Sequence, residues 1–202
     1  MHWEDTLSPP SSVLICACGP SVQDVLDLVW GPVSSRPRVL VVNYAARWVP
    51  LEEIDYLVTC DPIERFSHRN AVAIGQAAAV ATYTFHAMGL DIPNVVDSVK
   101  VDTCASDMID EPGKIAAATS STFVAAAIAY RLGAQRIGVI GHDLIGHRVL
   151  SHPDHTAAER AAWSGLHARL AVKGVELRNL SAISKVDTFP HQPLEAWLRG
   201  FG

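Results

Sequence analysis

The chain lacks both glycine signatures that commonly announce a nucleotide. It contains no G-x-G-x-x-G for a dinucleotide and no Gly-Lys-Ser or Gly-Lys-Thr to close a P-loop. No run of Lys or Arg forms a stripe, and 16 basic residues face 21 acidic ones, for a formal net charge of −5. That balance argues against nucleic acid as a principal partner. The four cysteines, Cys16, Cys18, Cys60 and Cys104, form no C-x-x-C pair, and buried free thiols in a reducing cytosol are expected. No apolar stretch is long enough to span a bilayer; even Ala71 to Ala81 is interrupted by Gly75 and Gln76. The opening Met1-His2-Trp3-Glu4-Asp5 has neither the basic start nor the apolar run of a secretory signal, so a cytoplasmic location is expected.

What is present is a hydrophobic fraction of 49% with only 18% charged residues, which argues against extensive disorder. A length of 202 residues suits one domain with a substantial core, and residues 1–202 are expected to form it. Strand-like runs alternate with helical ones, predicting a Rossmann-like, three-layer α/β sandwich with a mainly parallel sheet. Val13 to Ala17, Arg38 to Asn43 and Ile54 to Cys60 read as buried strands, the last stopped before Pro62. Val22 to Leu28 and Glu64 to Ile74 read as helices, and Ala78 to Tyr83 as a further strand. Residues 85–114 show no sustained period; they are expected to be irregular, with a short strand near Val95-Val96, and to form a lid or insertion. The pattern then sharpens into a helix from Phe123 to Leu132 closed by Gly133 and a strand from Arg136 to Gly141. A helix from Thr156 to Lys173 closed by Gly174 and a strand from Val175 to Asn179 complete it.

In an open parallel sheet, ligands bind beyond the carboxyl ends of the strands. Small or polar residues recur there: Gly19, Pro20 and Ser21, then Asn43, Asp61, Gly141 with Asp143, and Asn179 with Ser181. Two readings stand for the Gly19-Pro20-Ser21 turn. Glycine can serve the turn geometry alone, or the turn and the following helix start can seat a phosphate. Ser120 and Ser121 open a second helix, either as simple caps or as the opposite wall of a nucleotide site. Asp61 can hold Mg²⁺, accept hydrogen bonds from a ribose, or form an Asp-Pro turn. His142, His147, His152 and His155 cluster with Asp143 and Asp154. They can be read as a metal site, as a general base or acid, or as exposed loop histidines.

Cys18-Gly19-Pro20-Ser21, Asn43 and Asp61-Pro62, each following a strand, resemble a superfamily in which bacterial sialyltransferases join the DUF115, or MptE-like, proteins. Those proteins include archaeal 6-hydroxymethylpterin pyrophosphokinases and flagellin-modifying glycosyltransferases. Ser120-Ser121 before an Ala-rich helix, Leu132-Gly133-Ala134, and Ile137 through Gly141-His142-Asp143 resemble the second motif. Asn179, Ser181 and Ser184 resemble the closing one, so the match runs from Val13 to Ser184 outside the middle segment. Cys18 stands where the family carries Asn, and Ile145 where the sialyltransferases carry a tyrosine that assists the leaving phosphate.

The resemblance implies a nucleotide-dependent, glycosyltransferase-like group transferase with a CMP-type nucleotide sugar as donor and an unknown acceptor. Gly19 to Ser21, Asn43 and Ser121 would hold the donor, and His152 would be the catalytic base. It implies two alternatives. One is a pyrophosphokinase using ATP and Mg²⁺, with Asp61 and Asp143, joined by Asp107, on the metal. The other is a non-catalytic nucleotide-binding or scaffold protein. No resident metal is expected for the transferase, and a homo-oligomer is compatible with the chain.

Overall fold

Short runs of Val, Leu and Ile with no polar alternation suit strands covered on both faces, as in a parallel sheet. In the computed structural model they form it. The structure describes residues 9–28, 30–32, 35–86, 101–102, 115–116, 120–145 and 153–201. The strands are β1 (Ser12–Cys16), β2 (Arg38–Val42), β3 (Tyr56–Thr59), β4 (Tyr83–His86), β5 (Val101–Asp102), β6 (Ile115–Ala116), β7 (Arg136–Ile140) and β8 (Glu176–Asn179). A six-stranded sheet has the order β4-β3-β2-β1-β7-β8, and all its pairings are parallel. β5 and β6 form a separate two-stranded ladder. The helices are α1 (His68–Val80), α2 (Ser121–Arg131), α3 (Pro153–Val172) and α4 (Leu194–Leu198). Among the described residues no helix is long and apolar enough to cross a membrane.

The sheet sorts its side chains by period two. Val13, Ile15, Leu40, Val42 and Val58 face a layer made by α2 and α3, with Phe123, Trp163, Leu166 and Leu170. Leu14, Cys16, Val39, Val41 and Leu57 face the other side, against Ile74 and Ala77 of α1 and Trp197 of α4. The expected three-layer, Rossmann-like class is therefore the one observed. The chain runs outward from β1 through β4, then returns to lay β7 on the other side of β1. That reversal is the topological switch point, and it opens a crevice at the carboxyl ends of β1 and β7.

Three expectations change. Ala78 to Val80 finish helix α1 rather than start a strand, because Ala73, Ile74, Ala77 and Ala78 make one buried helical face. Alanine has the highest helix propensity, and here that preference and the face agree. The expected helix after Ser21 is a 3-10 turn from Pro20 to Val25. Val101–Asp102 and Ile115–Ala116 pair across the segment read as irregular. The short strand expected near Val95 lies outside the described residues.

Away from the crevice, one carboxylate ties the amino ends of the strands together. Asp55 accepts from Arg36 Nη1 at 2.9 Å, Arg38 Nη1 at 2.7 Å and the Val39 amide at 2.8 Å. Its side chain is only 9% exposed, so removing it would leave the 5% exposed Arg36 guanidinium with one carboxylate, Glu53 at 2.9 Å, and the Val39 amide without its acceptor. Asp55→Ala should lower the unfolding free energy by about 3 kcal/mol, read from urea denaturation. A change within about 0.5 kcal/mol, the ordinary surface range, would refute this role.

Candidate functional site

At the switch point the β1 ladder continues past the strand. Ala17 N donates to Ile140 O at 2.8 Å, and Gly19 N donates to Gly141 O at 2.6 Å. Gly141 takes the left-handed φ of +79°, whereas Gly19 has an ordinary extended backbone at φ −74° and ψ 165°. Gly19 is thus required for space rather than for its backbone angle. A Cβ there would lie 2.5 Å from Gly141 O and 2.6 Å from Asp143 Oδ2.

Asp143, 1% exposed, closes this junction. Its Oδ2 accepts from Ser21 N at 2.7 Å, and its Oδ1 accepts from Ser21 Oγ at 2.7 Å and from Ser181 Oγ. Ser21 Oγ accepts in turn from Gly141 N at 3.0 Å. Asn179 Oδ1 accepts from Ser181 N at 3.0 Å, while its Nδ2 donates to Val186 O at 2.7 Å. Gly19, Ser21, Gly141, Asp143, Asn179 and Ser181 therefore meet in one place, but as a clasp. The amides of Gly19, Ser21 and Val22 all have partners inside the fold, and Pro20 has no N–H. A carboxylate of the chain itself sits where a phosphate was expected. Both its oxygens are engaged, so Asp143 does not fit the Mg²⁺ role that the pyrophosphokinase alternative requires.

A second polar cluster lies one strand over. Asn43, the residue after β2, lies in the left-handed region at φ +51°, and its Nδ2 reaches Ser121 Oγ at 3.5 Å. Its Oδ1 is buried and has no hydrogen-bond partner among the described residues. An orphaned buried carbonyl costs stability, and a strained Asn is a feature that functional sites retain. Ser121 also reaches the Cys60 thiol, and Cys18 Sγ donates to Val42 O at 3.1 Å. Asp61, with a side chain 41% exposed, makes a 3.4 Å pair with Arg65.

Ser120 is less available than Ser121. It caps α2 by accepting from Phe123 N at 3.2 Å, and its hydroxyl donates to Glu159 Oε1. The same Glu159 oxygen lies 2.9 Å from Trp163 Nε1 and 3.1 Å from His142 Nε2. Glu159 is fully buried and His142 only 5% exposed. Glu159 did not emerge from the sequence reading. Its signal was a carboxylate at the head of the apolar spacing Glu159, Trp163, Leu166 and Leu170 along one face of α3. His152, the expected base, and His147 lie outside the described residues; α3 begins at the residue after His152.

The chain shares its fold with a bacterial sialyltransferase. The α-2,3-sialyltransferase of Campylobacter jejuni, in its apo form, superposes with a TM-score of 0.51 at 13% identity. The match covers 90% of this chain and 80% of that one. A sialyltransferase structure from the same organism, bound to the substrate analogue CMP-3FNeuAc, has a TM-score of 0.49 at 14% identity over 89% of this chain and 84% of that one. No family model and no curated protein matches the sequence.

Two outcomes follow from the geometry. Asp143→Ala leaves one buried amide and two hydroxyls without their acceptor, and should cost about 3–5 kcal/mol in urea unfolding. Stability equal to the parent would remove Asp143 as the clasp. The thiols behave oppositely to catalytic cysteines. Burial pushes Cys18 up to about 12, and burial with the nearby Asp61 charge pushes Cys60 up to about 11 against the Ser121 hydrogen bond. Both stay protonated at pH 8. Iodoacetamide should label them roughly tenfold or more slowly than glutathione, with the rate climbing as pH approaches those values. Peptide mapping that finds fast labelling at pH 8 would contradict this.

Proposed function

We propose that the chain is a glycosyltransferase-like group transferase whose donor is a CMP-type nucleotide sugar. The observation that carries this reading is Asn43: a strained residue at the carboxyl edge of the sheet, beside the switch point, with a buried amide oxygen lacking a partner among the described residues and Ser121 next to it. An amide offers both a donor and an acceptor, which suits the edge of a base or the hydroxyls of a ribose. Ser121 lies in the first turn of α2, where amides and helix dipole favour the adjoining phosphate. The shared fold and the motif resemblance support placing a donor there, with Asp61 on the ribose side.

In this reading the Gly19-Ser21-Asp143-Ser181 clasp contributes rigidity rather than direct phosphate contacts. Gly141 and Asn179 hold its two flanks. His152, next to the start of α3, takes the proton from an acceptor hydroxyl as that oxygen attacks the anomeric carbon. The bond from that carbon to the donor phosphate breaks, and CMP leaves with the electron pair.

A thermal-shift panel of CMP, CDP, UDP, GDP and ATP, each with and without Mg²⁺, tests the assignment. At a hundred times its Kd, CMP should raise the melting temperature by about 5–10 °C without metal. Asn43→Ala should abolish that rise. Stabilisation by ATP that requires Mg²⁺ would favour the pyrophosphokinase reading instead, and silence across the panel would defeat both. His152→Ala should leave the CMP response intact and lower transfer by about 10²–10⁴-fold; unchanged turnover would remove His152 as base.

A further inference from the structure

Glu159 is a carboxylate that packing alone does not call for. It is fully buried at the head of an α3 face that continues through Trp163, Leu166 and Leu170. An apolar side chain would extend that face, and apolar replacements of buried charges often match or exceed their stability. The group must therefore supply something other than core volume.

Its contacts show what that is. Oε1 accepts the Ser120 hydroxyl from the start of α2 and the Trp163 indole N–H, at 2.9 Å, from its own helix. His142 Nε2, in the turn after β7, lies 3.1 Å from the same oxygen and 2.9 Å from Trp163 Nε1. A bare lone pair on Nε2 would face the carboxylate, so the imidazole presents Nε2–H to it. Three elements thus converge on one buried oxygen, each through a donor.

The Ser120 contact is the one that leads toward Asn43. Ser120 is the N-cap of α2: its oxygen accepts from Phe123 N at 3.2 Å while its proton goes to Glu159. Ser121 follows it directly, and the tie from Ser121 to the sheet edge is loose. The 3.5 Å from Asn43 Nδ2 to Ser121 Oγ is the outer limit of a hydrogen bond, too long to hold a helix start by itself. Phe123 is fully buried and meets Trp163 edge-on, with ring centroids 5.6 Å apart. The first turn of α2 is therefore held from the Glu159 side.

We propose that Glu159 is a positioning residue: through the Ser120 hydroxyl it fixes the first turn of α2, and with it the Ser121 hydroxyl opposite Asn43. Being fully buried, it touches no ligand and acts only through Ser120. Its effect on the helix start stands on the geometry alone. Its effect on CMP rests on the donor reading above.

Two measurements on the full chain test it. In amide hydrogen exchange of the free protein, Ser120→Ala and Glu159→Ala should each speed exchange at Phe123 and Val124 about tenfold, with Ile128 near the parent rate. In calorimetric titration with CMP and no metal, each should bind about tenfold more weakly, and the double variant no more weakly than either, since both break one link. Glu159→Gln keeps an acceptor for Ser120 and should stay within about threefold of the parent. Should Glu159→Ala not fold, Ser120→Ala and Glu159→Gln carry the comparison. Leu170→Val, about three turns along α3, controls for lost stability and should leave CMP affinity unchanged. Parent-like exchange at Phe123 and Val124 in the alanine variants would overturn the proposal. So would losses that multiply in the double variant, or an equal loss of affinity in Leu170→Val. A loosened helix start in a chain whose parent does not bind CMP would count against the donor reading alone.

Discussion

The buried carboxylate of Asp143 is the constraint on which the carboxyl edge of this sheet depends. Three segments that are remote in sequence end on it: the turn after β1 through Ser21, its own loop after β7, and the turn after β8 through Ser181. Parallel strands leave their connecting turns unpaired at the edge, and a switch point pulls two of those turns in opposite directions. A buried charge answers this when each of its oxygens is hydrogen-bonded, as here, and would be destabilising if it were not. The two glycines follow from the same contact. Gly19 lets Asp143 close onto the backbone, and Gly141 supplies the positive φ that turns β7 toward it.

Because the clasp consumes the donors of its own turn, the proposed donor site falls to the neighbouring strand ends. Asn43 is held in a strained conformation with an unsatisfied oxygen, beside a helix start whose second serine is more open than its first. Behind Ser120, a second buried carboxylate, Glu159, gathers Ser120, His142 and Trp163. The crevice is thus backed by two buried acids, one holding loops and the other joining α2, α3 and the end of β7. Rigid backing of this kind is what the proposed site would need, since binding and group transfer tolerate little displacement.

The apolar runs at Val13 to Cys16, Arg38 to Val42 and Arg136 to Ile140 announced a parallel sheet, because strands covered on both faces need no polar alternation. Gly174 and the long helix before it were legible for a similar reason: a left-handed glycine ends a helix cheaply. Ala78 to Val80 were not, since short alanine-rich runs satisfy either period until a buried face selects one. Asn43 and Ser121 were legible as strand-end and helix-start residues. Their proximity was implied only by the family resemblance, and the orphaned oxygen and the positive φ were not legible at all.

The sequence by itself determined the class of fold and the positions where small and polar residues would gather, because both follow from local period and backbone chemistry. Only the tertiary structure decided which of those residues remain available. Asp143 lies 122 positions from Ser21, and Glu159 lies 39 from Ser120. No local pattern records whether a serine at a helix start faces a ligand or a carboxylate brought from the far half of the chain. A hydrogen bond depends on distance in space, and in a doubly wound sheet the switch point joins residues that the chain keeps apart.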